Sequence, residues 1–270
     1  MPLPPLIENA LLKLSDAVFD RCYQPPPLPE RLRCCKIISH RGAHNSSGIL
    51  ENTLAAFNRA AGADVWGIEL DIRWTRDREP VVFHDADLWR LFGRRHDLAR
   101  LSLQRLQRRF PEIACLAEVV ARWGKRVHLF IEVKQQPWPP PEDQALRLQQ
   151  VLAPLTPVED FHLLSLSPRV PQTLAWAPRQ ARVTVAAGWL AAHSRLALRH
   201  EWGGICGHYL LLTRAMITAH QAVGRMVGTG YPRSRNCLYR ELHRGVDWIF
   251  SNHAVELQKI ATASTPAASR

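Results

Sequence analysis

Long apolar runs are missing from this sequence. No stretch approaches the roughly 18 residues that a membrane-spanning helix requires. The nearest attempt, "YLLLTRAMITA", carries Arg214 in its middle. Zinc-type cysteine spacing is missing as well. Six Cys, at 22, 34, 35, 115, 206 and 237, fit no metal pattern, and the adjacent Cys34 and Cys35 make a poor disulfide pair. Reduced thiols in a cytoplasmic protein are the simple expectation. The opening "MPLPPLIENALLKL" lacks a positive region followed by an apolar run, so it does not read as a secretion signal. There is no internal repeat, and no low-complexity segment beyond "PWPPPED" at 137–143, which reads as a loop before a helix. Lysine is scarce: five of the 35 basic residues are Lys and 30 are Arg, with a formal net charge of +11. Arginine grips phosphate in two-pronged fashion better than lysine does. The basic residues are scattered and form no nucleic-acid-binding motif, so no nucleic-acid partner is expected. Either they are solvated surface, or some of them serve a phosphate ester or an acidic membrane surface.

What is present suits one large α/β unit. The chain has 270 residues, 46% of them apolar, which supports a sizeable core and excludes general disorder. In residues 6–20, Ile7, Leu11, Leu14 and Val18 share one helical face, with Lys13, Asp16 and Asp20 elsewhere. "QPPPLPE" then breaks the helix. Residues 1–35 are thus expected to be an N-terminal helix and Pro-rich linker, covering one end of the main domain. A membrane-surface anchor is the alternative, although such helices favour a basic polar face.

From residue 36 short apolar runs alternate with helical patterns. The runs are "KIISH" (36–40), "WGIELDIRW" (66–74), "PVVFHD" (80–85), "HLFIEVK" (128–134), "FHLLSL" (161–166), "RVTVAAG" (182–188), "GGICGHY" (203–209), "RMVGTGY" (225–231) and "WIFSN" (248–252). In 113–123, Ile113, Leu116, Val120 and Trp123 keep helical spacing. The alternation predicts βα units with parallel pairing, and the length suits a TIM-type (β/α)8 barrel over 36–258. Nine strands are one too many. Residues 75–79 are too few for a parallel crossover, so "TRDRE" should turn a hairpin and add one antiparallel strand beside eight parallel ones. Residues 86–112 read as a basic insertion over the active-site mouth, and 261–270 as a flexible tail.

Chemistry gathers at the predicted strand ends. In "IELD", Glu69 and Asp71 are two apart and share a strand face, while Ile68, Leu70 and Ile72 take the other. In "FIEVK", Glu132 and Lys134 likewise share a face. Three carboxylates repel unless a cation joins them. An all-oxygen set suits one divalent cation, Mg²⁺ or Ca²⁺, and is too poor in nitrogen and sulfur for zinc. His40 ends the first strand and His84 ends the hairpin strand. Two imidazoles flanking a metal-bound phosphate can give one proton and take another. Arg41 and Lys134 supply positive charge for phosphate oxygens. Each element alone has a plain structural reading, as a solvated strand face, a turn or a packed histidine. Their shared position at the C-terminal ends of strands, where barrel enzymes place catalysis, favours a site.

"HRG…ENTLAAFNRAAGADVWGIELDIRWTRDREPVVFHDADLWR" closely resembles the opening of the glycerophosphodiester phosphodiesterase family. "HLFIEVK" resembles its second metal-binding strand and "GVDWIFSN" its closing strand, in the correct order. The resemblance implies a TIM-type barrel of the phospholipase-C-like phosphodiesterase kind. It implies Glu69, Asp71 and Glu132 as metal ligands, His40 and His84 as the acid/base pair, and Arg41 and Lys134 on phosphate. It also implies a mechanism in which the neighbouring glycerol hydroxyl attacks phosphorus and expels an alcohol. The resulting cyclic phosphate is then hydrolysed to glycerol 3-phosphate, with the proximity advantage of an intramolecular step. Glu51 and Asn52 match too. Asn52 or Thr53 should cap the following helix. Glu51 should either orient Arg41 or approach the metal.

The chain departs from the family pattern in three places. Leu50 stands where Pro is usual, after a loop lengthened by "HNSSG". "GTGY" at 228–231 replaces a Trp-Thr-Val-Asn strand end, leaving Tyr231 or Trp189 to stand in for a pocket-wall Trp. Ser251 and Asn252 replace the commoner Thr-Asp. These departures bear on substrate rather than on catalysis. The expected activity is metal-dependent hydrolysis of a small glycerophosphodiester. Two alternatives stand beside it: a lysophospholipase D-like lipid phosphodiesterase in peripheral contact with a membrane, and a barrel that binds phosphorylated ligands without turnover. The presence of all five metal-binding and proton-transfer groups speaks against the last.

Overall fold

The computed structural model describes residue 15 and residues 17–45 and 48–263. Of the helix expected over 6–20, residues 6–14 and 16 lie outside the described residues, while 15 and 17–20 are helical. Of the tail expected from 261, residues 261–263 continue the last helix, Ala254–Ala263, and the rest lies outside the described residues.

Nine strands form one sheet: β1 (Lys36–His40), β2 (Gly67–Trp74), β3 (Pro80–Val82), β4 (His128–Val133), β5 (Phe161–Ser165), β6 (Arg182–Ala186), β7 (Gly204–His208), β8 (Met226–Gly230) and β9 (Trp248–Ser251). The order runs β1-β9-β8-β7-β6-β5-β4-β2-β3, and the β1–β2 pairing closes it. Eight strands pair in parallel and β3 alone is antiparallel, against β2. Closure leaves β3 as a short flange outside the ring, so the extra strand has the hairpin origin that the 75–79 spacing requires.

One difference from the expected elements matters for the site. The run "PVVFHD" stays in strand only to Val82. Phe83 still donates its N–H to the Asp71 carbonyl, at 3.0 Å. The His84 carbonyl instead accepts from the Arg73 side chain at 2.9 Å, so the ladder stops and His84 sits two residues past the strand. The helix after "PWPPPED" begins inside that segment, at Pro141, because proline at the first helical position has no N–H to waste.

Strand alternation makes two cores. Ile68, Leu70 and Ile72 of β2 face the surrounding helices and join the large outer cluster with Phe57, Trp74, Trp123 and Trp202. Inside the barrel, Ile38, Phe130, Leu164, Val183, Cys206, Trp248 and Phe250 form a second cluster. The Phe130 ring meets Trp248 and Phe250 edge-on, each with centroids 5.0 Å apart. These rings make a floor across the barrel, beneath the ends of the strands. Gly228 makes room for them: a Cβ there would meet Cys206 Sγ at 2.5 Å and the Phe250 ring at 2.8 Å. The segment 86–112 has its own cluster, in which Leu88, Leu98, Leu101 and Leu106 pack on Val81 and Phe83. It therefore flanks the mouth beside β3.

The first βα turn depends on Gly42. Its φ is +76°, and an added Cβ would lie 2.8 Å from both Ala56 Cβ and the Phe57 ring. The helix Leu54–Ala61, capped by the Thr53 hydroxyl, packs directly against this turn. Of the two capping candidates, Thr53 takes the role. Gly42→Ala is expected to lower stability by about 2–4 kcal/mol, from overpacking and a left-handed non-glycine residue together. A urea unfolding curve that keeps its midpoint would contradict this.

Candidate active site

The strand register assembles the acidic cluster. His40 ends β1 opposite Glu69 of β2, and Asp71 of β2 lies opposite Glu132 of β4. Because Glu69, Asp71 and Glu132 point inward, one oxygen from each lies within 4.8 Å of the others. All three are buried. Lys134, one residue past the end of β4, places Nζ 2.6 Å from Asp71 Oδ1 and also contacts Glu132 Oε1.

Arg41 leaves β1 in the left-handed conformation, with φ 56°. That turn aims its backbone N–H at Glu69 Oε2, 3.0 Å away. Its guanidinium folds back, with Nε 3.2 Å from Asp71 Oδ2 and Nη1 donating to Glu51 Oε1 at 2.9 Å. Glu51 thus orients Arg41 and stands outside the three-carboxylate cluster. Its carboxylate also receives Arg90, at 2.6 Å and 3.1 Å. Arg90 in turn donates to Asp85 at 2.6 Å, and Asp85 holds His84 Nδ1 at 2.7 Å. A chain of charges therefore runs from Arg41 to His84 along one side of the mouth.

His40 has a different partner. Its Nδ1 lies 2.7 Å from Asn252 Oδ1, an oxygen that can only accept, so Nδ1 carries the proton. In the neutral ring Nε2 is then a bare acceptor. It faces the Tyr231 hydroxyl at 3.4 Å and Glu69 Oε2 at 3.7 Å. Tyr231 also packs on the imidazole, with centroids 4.7 Å apart.

Site residues that sequence reading did not place are Asn52, Asn252, Asp85 and Arg90. Asn52, read as a helix cap, grips Asp71 from two sides. Its Nδ2 donates to Oδ2 at 2.8 Å and its Oδ1 accepts the Asp71 backbone N–H at 3.1 Å. Only Asp85 had a local signal, its adjacency to His84. His208 lines the cavity, whereas His128 and His162 bond each other at the opposite end of the barrel, 2.7 Å apart.

Burial and crowding set the charges. Burial first, then Asp71 and Glu132, raise the Glu69 carboxyl well above its ordinary 4.5. Burial and Asp71 raise Glu132. Burial also pushes Asp71 upward, but Lys134 and Arg41 outweigh it and hold this carboxyl below its ordinary range. Burial, with Arg41 nearby, brings His40 down to about 3. His84 is lowered by burial, against the opposing pull of Asp71. One buried oxygen, Glu69 Oε1, has no hydrogen-bond partner. An orphaned carboxylate oxygen among three acids, in a site with only oxygen donors, fits a hard divalent cation.

His40, Arg41, Glu69, His84, Glu132 and Lys134 line one wall of a cavity of about 540 Å³. Leu164, Val185, Leu211 and Phe250 line the other wall. Tyr231 and Trp189, the two candidates for an aromatic wall, both line it as well.

The raised acids carry a sign for stability. A carboxyl whose folded pKa lies above its unfolded value favours the fold when protonated. Its contribution is present below about 4.5 and is lost as pH rises toward the raised value. Without metal, the melting temperature relative to that of the Glu69→Gln variant is expected to fall as pH rises through this window. Added Mg²⁺ or Ca²⁺ should reverse the fall, because a bound cation stabilises the folded state by mass action. A difference from Glu69→Gln that rises over the same window, with no response to either cation, would contradict the charge balance described here.

Residues 40–155 match the sequence model of the Glycerophosphoryl diester phosphodiesterase family. Human glycerophosphodiester phosphodiesterase 1 is 33% identical over 132 residues, 42% of this chain and 39% of that protein. A glycerophosphodiester phosphodiesterase of Caldanaerobacter subterraneus is 49% identical over 49 residues, 18% of this chain and 19% of the relative. The chain spans less than half the length of the curated relatives it matches. Among solved structures, a glycerophosphodiester phosphodiesterase from Thermotoga maritima superimposes with a TM-score of 0.71 at 20% identity, covering 84% of this chain and 98% of that one. An Oleispira antarctica phosphodiesterase in complex with the product sn-glycerol-3-phosphate gives 0.72 at 20% identity, covering 86% and 98%. Over residues 40–155 this chain is thus similar in sequence to the Glycerophosphoryl diester phosphodiesterase family, and it shares the barrel fold of these solved structures.

Proposed function

We propose that this chain is a phosphoric diester hydrolase that cleaves glycerophosphodiesters to glycerol 3-phosphate and an alcohol. The clustering of Glu69, Asp71 and Glu132, with Glu69, Glu132, Lys134, His40 and His84 all lining one cavity, carries the proposal. Glu69, Asp71 and Glu132 would hold one divalent cation, Mg²⁺ or Ca²⁺. When bound there, the cation supplies positive charge to a phosphoryl oxygen.

The remaining work falls to side chains of the chain itself. His40, with its proton fixed on Nδ1 by Asn252, presents a bare Nε2 that takes the proton of the attacking glycerol hydroxyl. His84 is backed by the Asp85 carboxylate, which supports an imidazolium, so it gives a proton to the departing alcohol. In the second half the roles exchange, and water opens the cyclic phosphate. Arg41 and Lys134, both pinned by carboxylates, turn their remaining donors toward phosphate oxygens. The aromatic floor below the acids keeps bulk water from the strand interior.

A second activity is favoured by one observation, the apolar wall of Leu164, Val185, Leu211 and Phe250. Such a wall suits a departing group with an alkyl portion, as in a lysophospholipase D-like reaction. A panel of glycerophosphodiesters with choline, ethanolamine or acylated partners separates the two by relative kcat/KM.

Purified protein given glycerophosphocholine and Mg²⁺ or Ca²⁺ is expected to release glycerol 3-phosphate, and EDTA is expected to stop the release. His40→Ala and His84→Ala should each lower kcat by about 10²- to 10⁴-fold, the usual worth of a proton-transfer group. Equal release by either variant, or release undiminished by EDTA, would remove the proposal. For an aryl ester, whose good leaving group needs no proton, His84→Ala should lose much less than His40→Ala.

A further inference from the structure

The exposed apolar side chains are unevenly placed. Among the described residues twelve large hydrophobic side chains are exposed, and six of them flank the cavity mouth: five follow the C-terminal ends of parallel strands, and one, after the antiparallel β3, adjoins Arg90, which reaches Glu51 at the mouth. These are Trp89, Trp138, Leu166, Trp189, Leu210 and Leu211. All three exposed tryptophans belong to this set. Trp189 is 83% exposed and takes a left-handed φ of 53°, a conformation that bulky residues seldom adopt. Leu166, Trp189, Leu210 and Leu211 also line the cavity, so the exposed patch runs without a break into its apolar wall. A monomeric soluble protein seldom leaves such a patch beside its site without a partner for it.

Charge on the same side is positive. Besides Arg90, which Glu51 and Asp85 engage, the flanking segment 86–112 holds six Arg, at 94, 95, 100, 105, 108 and 109, against three acids, Asp87, Asp97 and Glu112. Two of the exposed tryptophans are paired with arginine. The Arg95 guanidinium lies 5.0 Å from the Trp89 ring, and that of Arg78 lies 5.4 Å from the Trp138 ring. An indole with a guanidinium on its face has one apolar and one cationic aspect, which suits the level of lipid headgroups. The opposite end of the barrel differs. A second hollow there is lined by Asp64, Glu159 and Asp160 together with Lys125 and Arg126, a mixture of signs. Val158 and Val223, exposed there, stand apart from one another in the chain.

We propose that the mouth face is a docking surface for an anionic lipid bilayer, with Trp89, Trp138 and Trp189 at headgroup depth. The rim arginines meet the acidic headgroups, and the apolar wall opens toward the acyl region. Charge complementarity and continuity with the cavity select a lipid surface over a protein partner, whose binding face would lack a reason to merge with a phosphodiester pocket. The choice of a lipid surface rests on the proposed phosphodiester pocket, but docking itself involves none of the acidic ligands or histidines.

The test uses the full chain and sized vesicles, either phosphatidylcholine alone or phosphatidylcholine with one third phosphatidylglycerol. Co-sedimentation with the anionic vesicles is expected, falling about tenfold as salt is raised, because the attraction is screened. Brominated acyl chains should quench tryptophan fluorescence in the wild-type protein. The double variant W89A/W189A is expected to lose at least about fivefold in partitioning, since its apolar anchors are gone. The control V158S/V223S, altered at the opposite end, should bind as the wild type does. Absence of anionic-vesicle binding, absence of quenching in the wild type, or an equal loss in both double variants would overturn the proposal. So would lipid-independent self-association, seen by sedimentation velocity and abolished by W89A/W189A. The quenching measurement decides the matter even if W89A/W189A fails to fold. His40→Ala should bind vesicles normally, so failure of catalysis and failure of docking read out separately.

Discussion

Three buried carboxylates held at one point, against their mutual repulsion, are the constraint on which the site depends. Parallel register forces the meeting: Asp71 and Glu132 are paired across β2 and β4, and Glu69 lies one inward step below Asp71. Charges this close in a poorly solvated place raise one another's pKa unless cations intervene. Lys134 and Arg41 intervene for Asp71, which stays ionised, and leave Glu69 and Glu132 short of positive charge. The arrangement is balanced for one further cation, and the orphaned Glu69 oxygen marks where that charge is wanting.

Around this centre, rigidity comes from the side chains that brace it. Asn52 occupies a left-handed position, φ 57°, in order to hold Asp71 by both its carboxylate and its N–H. Arg41 reaches both Glu51 and Asp71 from a strained turn that Gly42 completes. Such strain persists only where the surroundings over-determine it. Here the helix Leu54–Ala61 and the two carboxylates do so. The two histidines differ in the same layer. An amide oxygen supports His40, and a carboxylate tied to Arg90 supports His84. Identical imidazoles thereby acquire unequal affinities for a proton.

The cavity divides along the sheet. Strands β1, β2 and β4 contribute the charged wall, and β5 to β9 the apolar one. A barrel makes this division easy, because every strand end reaches the same opening whatever its side chain. The same geometry places exposed tryptophans and leucines of successive loops on one side of the molecule.

Much of this was legible in the linear chain. Strand positions followed from apolar runs, and the extra antiparallel strand from the five residues between β2 and β3. The inward direction of Glu69, Asp71, Glu132 and Lys134 followed from alternation. These are local properties, fixed by the period of a strand and the length of a turn. Other features waited for the closed barrel. Asn252 meets His40 across 212 positions, and Tyr231 meets it across 191. Asn52 looked like a cap until Thr53 took that place, because both have the right chemistry and only the backbone turn separates them. His84 looked like a strand residue until the Arg73 side chain claimed its carbonyl. Sequence alone determined which residues bear charge and which way each strand presents them. Tertiary structure decided which of them touch, because contact across the ring depends on closure and register, and neither leaves a mark on neighbouring positions in the chain.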